Sequence, residues 1–119
     1  MADRAAVIAA LRRQVEKRVA TIEINLTANL IEATPIDTGY ARAHWVPTVG
    51  SPDMAGDLGA QAAGLAAAAS YTLAQGKAYV ANGASYIQRL NAGSSKQAPA
   101  AFVEREIART LAELEDGAP

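Results

Sequence analysis

The chain has no cysteine, a single histidine and few aromatic side chains among its 119 residues. Without cysteine it forms no disulfide and offers neither a thiol nucleophile nor a thiolate ligand for a metal. One histidine, His44, cannot build a histidine-based zinc site or a pair of imidazoles. A net charge of −1 provides no overall positive field that would attract nucleic acid. These absences argue against thiol and zinc enzymes and against nucleic-acid binding by bulk charge.

Large apolar side chains are also scarce, although 50% of the chain is nominally hydrophobic. Alanine accounts for 29 residues, which leaves 31 apolar side chains larger than a methyl group. This supply predicts one domain over residues 1–119 with a thin core. Contacts with other chains are expected to complete that core. It disfavours a self-sufficient enzyme with a deep, dry pocket.

No stretch is long and apolar enough for a bilayer span, which needs about 20 predominantly apolar residues. The longest uncharged run, residues 58–76, consists mostly of alanine, glycine and small polar residues. Charged residues interrupt the early apolar stretch, so we expect no signal peptide. The sequence therefore predicts a cytoplasmic product without a membrane helix.

Residues 3–33 carry the strongest local pattern. Large apolar residues recur every three or four positions, as on one face of an α-helix. Asp3 is the expected N-cap, and the Thr34-Pro35 step is expected to end the helix. The apolar stripe comprises Ile8, Leu11, Val15, Val19, Ile22, Leu26 and Leu30.

A straight helix of this length has a structural consequence. It would span about 45 Å, whereas a compact globule of this size is about 35 Å across. Either the helix kinks near residues 21–25, or the domain is elongated, or part of the stripe packs on another chain.

The next segments predict a strand and a second helix. Residues 40–46 favour a strand with Trp45 facing the core, while Pro47 and Pro52 limit it or place it at a sheet edge. Residues 50–60 resemble a loop. The alanine-rich residues 57–75 predict a helix that is either packed backbone to backbone or mobile.

The C-terminal third predicts a short strand and a final helix. Residues 77–81 form the strand, and Asn82-Gly83 marks a tight turn. Residues 86–90 suit one helical turn, with a returning strand over residues 84–90 as the alternative. Residues 91–97 are predicted to form a polar loop. Pro99 is expected to open the last helix, whose apolar stripe is Phe102, Val103, Ile107, Leu111 and Leu114. The predicted fold class is α+β, with a long N-terminal helix, a small antiparallel sheet, an alanine-rich middle helix and a C-terminal helix.

The search for chemistry gives no catalytic, cofactor-binding or metal-binding residues. His44 lacks a recognisable nucleophile and orienting carboxylate. Asp37, Asp53 and Asp57 do not have the spacing of a calcium loop, so we interpret them as turn and cap carboxylates. A basic run on the first helix (Arg12, Arg13, Lys17 and Arg18) is interleaved with Glu16 and followed by Glu23, which indicates a solvated face, with phosphate contact as the alternative.

Two stretches resemble a family of small tailed-phage proteins. Residues 34–45 read TPIDTGYARAHW, similar to the family's T-P-V-D-T-G-R-x-R-x-x-W signature. Residues 78–93 are similar to its short strand, Asn turn, Tyr and L-E-x-G pattern, and residues 94–100 to its S-x-Q-A-P. The order and spacing match over about half of the chain. The family is the siphophage neck and tail-completion group, often described as tail components or minor tail proteins.

The resemblance implies a structural protein of the virion or prophage, made in the host cytoplasm and located at the head–tail junction. Its subunits are expected to form a homo-oligomeric ring, with six copies the expected number, between the connector and tail-tube proteins. DNA would pass through the lumen without sequence-specific binding. The motif and interface residues that the resemblance indicates are Asp37, Thr38, Gly39, Arg42, Trp45, Asn82, Tyr86, Gly93, Gln97 and Pro99.

Two positions depart from the family pattern: Tyr40 replaces a common Arg, and Asn91 replaces a common Glu. Among the motif residues, Trp45 and Tyr86 are expected to be core anchors and Pro99 a helix start. Arg42 and Gln97 are better candidates for contacts between subunits. The alternatives are a tail terminator that caps the tail tube and a small helix-binding adaptor unrelated to phage, with a small hydrolase a more distant possibility.

Overall fold

The computed structural model describes residues 3–35, 39–94 and 98–117, with side chains up to Glu115. Within these ranges the chain forms five α-helices and a two-stranded antiparallel sheet, which confirms the α+β prediction. In chain order the elements are α1 (Arg4–Ala33), α2 (Tyr40–Ala43), β1 (Trp45–Val49), α3 (Leu58–Ala68), a 3-10 turn (Leu73–Gln75), β2 (Ala78–Asn82), α4 (Ile87–Asn91) and α5 (Phe102–Gly117).

Helix α1 begins and ends where the sequence predicts. The Asp3 carboxylate accepts a hydrogen bond from the Ala5 amide at 3.2 Å, and Thr34 is the C-cap. The helix runs without interruption through residues 21–25. The molecule is consequently elongated: it is 59 Å long, and its radius of gyration is 16.1 Å, against about 13.5 Å for a compact domain of this length.

The buried face of α1 is not its apolar stripe. The buried positions Ala20, Glu23, Thr27 and Leu30 follow one another at helical spacing, whereas Val19, Ile22 and Leu26 are half-exposed. Thr27 is fully buried because its hydroxyl donates to the Glu23 carbonyl at 2.7 Å. Of the apolar stripe, Leu30 alone is buried within the described part of the chain.

Strands β1 and β2 pair antiparallel from Trp45 opposite Asn82 to Val49 opposite Ala78. Pro47 lies within β1, which is tolerated because a strand in a two-stranded sheet has a free edge. The predicted strand over residues 40–46 is wrong in its first part, since Tyr40–Ala43 forms α2. Gly39 precedes that turn with φ of +72°, a conformation that suits glycine and redirects the chain into a helical turn.

Helix α3 packs directly on the backbone of β1. A Cβ atom on Gly64 would lie 2.2 Å from the Pro47 carbonyl oxygen, so the alanine-rich segment packs backbone to backbone. The helix ends at Ala68, earlier than the predicted residue 75. Beyond it Tyr71 is buried, with its hydroxyl donating to the Gly76 carbonyl at 2.5 Å, and this contact holds the chain in a different path.

The C-terminal third closes on α1. The turn after Asn82 leads into the helical residues Ile87–Asn91, so the alternative of a returning strand is wrong. Helix α5 begins at Phe102 rather than at Pro99 and contacts α1, where Asn29 donates to the Thr110 hydroxyl at 2.9 Å. In α5 Phe102 and Thr110 are buried, but Ile107 and Leu111 remain exposed.

Candidate functional site

The first motif segment, residues 34–45, joins the C-terminal end of α1 to the sheet. Arg42 Nε donates to the Thr34 carbonyl at 2.7 Å, and Nη2 donates to the Glu32 carbonyl at 3.0 Å. These acceptors lie at the negative end of the helix dipole, where a guanidinium is favourable. Arg42 is thus half-buried and engaged within its own chain, and its predicted contact with another subunit stays a prediction.

Trp45 occupies the core, as predicted, and is 5% exposed. Its indole N–H donates to the Thr34 hydroxyl at 2.7 Å, and that hydroxyl donates to the Leu30 carbonyl at 2.6 Å. One threonine therefore satisfies a buried indole and an end carbonyl of α1 together. We call Arg42, Trp45, Thr34 and Asn82 the motif cluster.

Asn82 adds the second motif segment to this cluster. Its side-chain amide donates to the Ala41 carbonyl at 2.8 Å, and its side-chain oxygen accepts from the Ala84 amide at 2.9 Å. Gly83 follows because the Met54 backbone passes so close that an added Cβ would overlap the Met54 carbonyl. Gln61 of α3, which sequence reasoning missed, also joins this cluster. Its side-chain amide donates to the carbonyls of Arg42 and Trp45, each at 2.9 Å.

The remaining motif residues lie at the rim of this cluster. Tyr86 is half-buried rather than the expected core anchor, with its ring 6.1 Å from that of Tyr40. Tyr40 in turn stacks on His44 with ring centroids 4.0 Å apart. His44 Nδ1 lies 2.6 Å from the Tyr40 carbonyl, so that nitrogen carries the proton and donates. Tyr40, which departs from the family pattern, thus packs within the chain.

The segment before α5 is organised by Asn91, the second departure from the family pattern. Its side-chain oxygen accepts from the Val103 amide at 2.9 Å, and its side-chain amide donates to Glu104 at 2.8 Å. Gly93 has φ of +96°, and Pro99 is exposed. Asp37, Thr38 and Gln97 lie outside the described residues.

A second feature lies on the side of α1 that faces β2. An open groove of about 500 Å³ runs between the second half of α1 and β2. Its lining is mainly apolar and includes Val19, Ile22, Leu26, Tyr71, Tyr79 and Val80, with Lys77 also present. We call this feature the α1–β2 groove.

Glu23 lies in the lining of the groove and was misjudged from the sequence, which indicated a solvated face. It is 3% exposed, and neither carboxylate oxygen has a hydrogen-bond partner among the described residues. Burial raises the pKa of Glu23 to about 7. The nearby Tyr79 backbone amide, which lies outside hydrogen-bond geometry, favours the charged form and opposes part of this rise. The available signal was its helical spacing from Ala20 and Thr27, which are small residues suited to close packing.

The described residues bring together no group of three histidine, cysteine or acidic side chains that could hold a metal ion. Asp53 accepts from the amides of Ala55 and Gly56, and Asp57 caps α3. The interpretation of these two as turn and cap carboxylates is confirmed. No helix among the described residues has the length and apolar character needed to cross a membrane.

Comparisons with models of protein families, with curated proteins and with solved structures find no match to this chain.

Proposed function

We propose that this chain is a structural subunit of the phage or prophage head–tail junction, a tail-completion or neck protein that assembles into a ring between connector and tail tube. The observation that carries the proposal is the uncovered first half of α1. Val7, Ile8, Leu11 and Val15 are 44–56% exposed there. Side chains of this type are normally buried against a neighbour.

The shape of the molecule supports assembly as well. The accessible surface is 7363 Å², whereas a compact monomer of this mass exposes about 6,100 Å². The excess is typical of a subunit whose surface is completed by neighbours. Contacts that join different surfaces of identical subunits close into a ring when the rotation permits.

The motif cluster supports the same proposal indirectly. The motif residues Arg42, Trp45 and Asn82 bind the end of α1, α2, β1 and β2 into one unit. A fixed unit of this kind orients α1 as a rigid arm. The net charge of −1 suits a lumen through which DNA passes without strong attraction.

The α1–β2 groove favours one second candidate, a small adaptor that binds an amphipathic helix of another protein. Such an adaptor would remain a monomer or dimer when purified, whereas a ring subunit forms a discrete larger species. A tail terminator would also form a ring, so its position on the tail tube distinguishes it from a neck protein.

The test is a concentration series of the purified chain in native mass spectrometry and negative-stain electron microscopy. We expect a discrete oligomer, with six copies the leading number, and a central opening. A gene neighbourhood with portal, capsid and tail-tube genes is the expected companion result. A monomer that turns over a substrate, encoded away from any virion gene, would overturn the proposal.

A further inference from the structure

We propose that the α1–β2 groove is the docking site for the first half of α1 from a second copy of this chain, with an arginine of that copy paired to Glu23. The inference deepens the proposed function and rests on it, because it names the partner and the two surfaces through which subunits would join.

The groove is built to receive an apolar segment that carries a positive charge. Its lining is mainly apolar, but it contains Glu23, which is 3% exposed and has no hydrogen-bond partner among the described residues. A buried carboxylate without a donor is costly, and a charged donor from a ligand removes that cost best. In the free subunit both carboxylate oxygens are covered, so an arginine of a docked copy would pair with Glu23 after that side chain turns into the groove.

The first half of α1 has this composition. Residues 4–18 contain five cationic side chains and one carboxylate, whereas residues 19–33 contain two carboxylates and no cation. Arg4 and Arg12 each lie four positions from Ile8, so their guanidinium groups flank the exposed apolar stripe on the same side of the helix. The stripe complements the apolar lining and the arginines complement Glu23, while Lys77 in the same lining is a cation that the arginines would avoid.

The dimensions agree with docking between copies. The exposed stripe from Ile8 to Val15 and the groove floor from Val19 to Leu26 each cover seven residue steps, about 10 Å of helix. Because α1 is continuous, its first half projects away from the groove in its own chain. The first half of α1 that fills the groove would then come from another copy, and the contact joins two different surfaces, as head-to-tail assembly requires.

Disulfide trapping tests this contact directly, since the chain has no cysteine of its own. One chain carries Ile8→Cys and a differently sized chain carries Lys77→Cys at the groove. After mixing under mild oxidation, we expect the mixed disulfide in at least tenfold excess over a control pair. The control combines Ile8→Cys with Met54→Cys, an exposed residue outside the groove lining.

A second set of variants tests the pairing between an arginine of one copy and Glu23 of the other. Glu23→Gln on the Lys77→Cys chain, or Arg4→Gln with Arg12→Gln on the Ile8→Cys chain, should lower the trapping yield at least fivefold. Lys17→Gln, a cation of α1 off the Arg4–Ile8 face, should leave it unchanged. Circular dichroism verifies that each variant retains the fold. Equal yields with and without Glu23 would overturn the pairing.

The outcomes separate this inference from the proposed ring. Oligomers in native mass spectrometry, combined with trapping no better than the Met54→Cys control, overturn the groove contact and leave the ring standing. Strong trapping, combined with native mass spectra of the unsubstituted chain that show no species above two copies, supports the contact and overturns the ring. Control-level trapping in a chain that remains monomeric overturns the groove contact.

Discussion

The two halves of α1 belong to one uninterrupted helix but have opposite surroundings. In residues 19–33 the helix meets the sheet, α3 and α5, and it buries Ala20, Glu23, Thr27, Asn29 and Leu30. In residues 4–18 no side chain is fully buried, and four large apolar side chains are 44–56% exposed. The apolar period is the same in both halves.

The difference teaches that period alone does not decide which face of a helix is covered. The second half packs through small and hydroxyl-bearing residues, which allow α1 to approach its neighbours closely. The larger aliphatic side chains then lie at the edge of that contact. In the first half the corresponding aliphatic side chains remain exposed and available for contact with another surface.

The largest expected effect concerns the close packing of α3 on β1, in the part of the molecule that surrounds the second half of α1. Gly64→Ala places a methyl group against the Pro47 carbonyl, where an added Cβ would lie 2.2 Å away. We expect a loss of about 3 kcal/mol in the free energy of unfolding, measured by urea denaturation.

The matched control is Gly59→Ala in the same helix, where the nearest contact of an added Cβ is an ordinary 3.4 Å. It should change the free energy of unfolding by less than about 0.5 kcal/mol, because Gly59 lies in the capped first turn of α3, where helix propensity counts less than in the interior. Equal effects of the two substitutions would mean that α3 does not press against β1.

The second prediction concerns the buried carboxylate on α1. The pKa of Glu23 is raised from 4.5 to about 7, so the folded chain retains a proton that the unfolded chain has released. Stability should therefore fall as pH rises from about 4.5 through 7, by up to about 3 kcal/mol. Denaturation at pH 5 and pH 8 measures this difference.

Glu23→Gln should remove that part of the pH dependence, since glutamine does not titrate. Glu32→Gln, at an exposed position of the same helix, controls for the loss of one carboxylate. If Glu23→Gln retains the wild-type fall between the two pH values, Glu23 is not the group responsible.

A third comparison sets two arginines of opposite surroundings against each other. Arg42→Ala removes two hydrogen bonds from end carbonyls of α1 and should cost about 2 kcal/mol of stability. Arg12→Ala, at an exposed position of the first half, should change stability by less than about 0.5 kcal/mol. Thermal unfolding at one low concentration compares them, and a larger loss from Arg12→Ala would contradict the division of the helix.

Much of the fold was predictable because its signals are local. The N-cap Asp3, the stop at Thr34-Pro35, β2 and the short helical turn at residues 87–91 depend on nearby residues. The strand predicted from Tyr40 failed because Arg42 reaches the end of α1, a contact that single-segment propensity does not contain. The end of α3 failed because Tyr71 turns back to Gly76.

The candidate site was less predictable than the fold. Motif comparison selected Arg42, Trp45 and Asn82, which the structure brings into one cluster, but it gave no sign of the α1–β2 groove. Glu23 on its own resembles any solvated helix carboxylate, and its burial depends on β2 and Tyr71, more than 45 residues away along the chain. Such a site becomes visible only when distant segments are packed together.

The smallest expected effect on stability belongs to the open half of α1. Ile8→Ser with Leu11→Ser removes side chains that are 47% and 56% exposed, so the isolated subunit loses little buried area. We expect a change within about 0.5–1 kcal/mol when unfolding is measured at low concentration.

The same double variant should abolish the oligomer at high concentration, because the proposed contact between copies depends on this stripe. Met54→Ser with Leu58→Ser removes a comparable exposed apolar surface elsewhere and should preserve the oligomer. If both pairs weaken assembly equally, general surface hydrophobicity drives association. If the Ile8 and Leu11 variant unfolds the isolated chain, the first half of α1 contributes to the fold itself, and the contrast between the two halves is wrong.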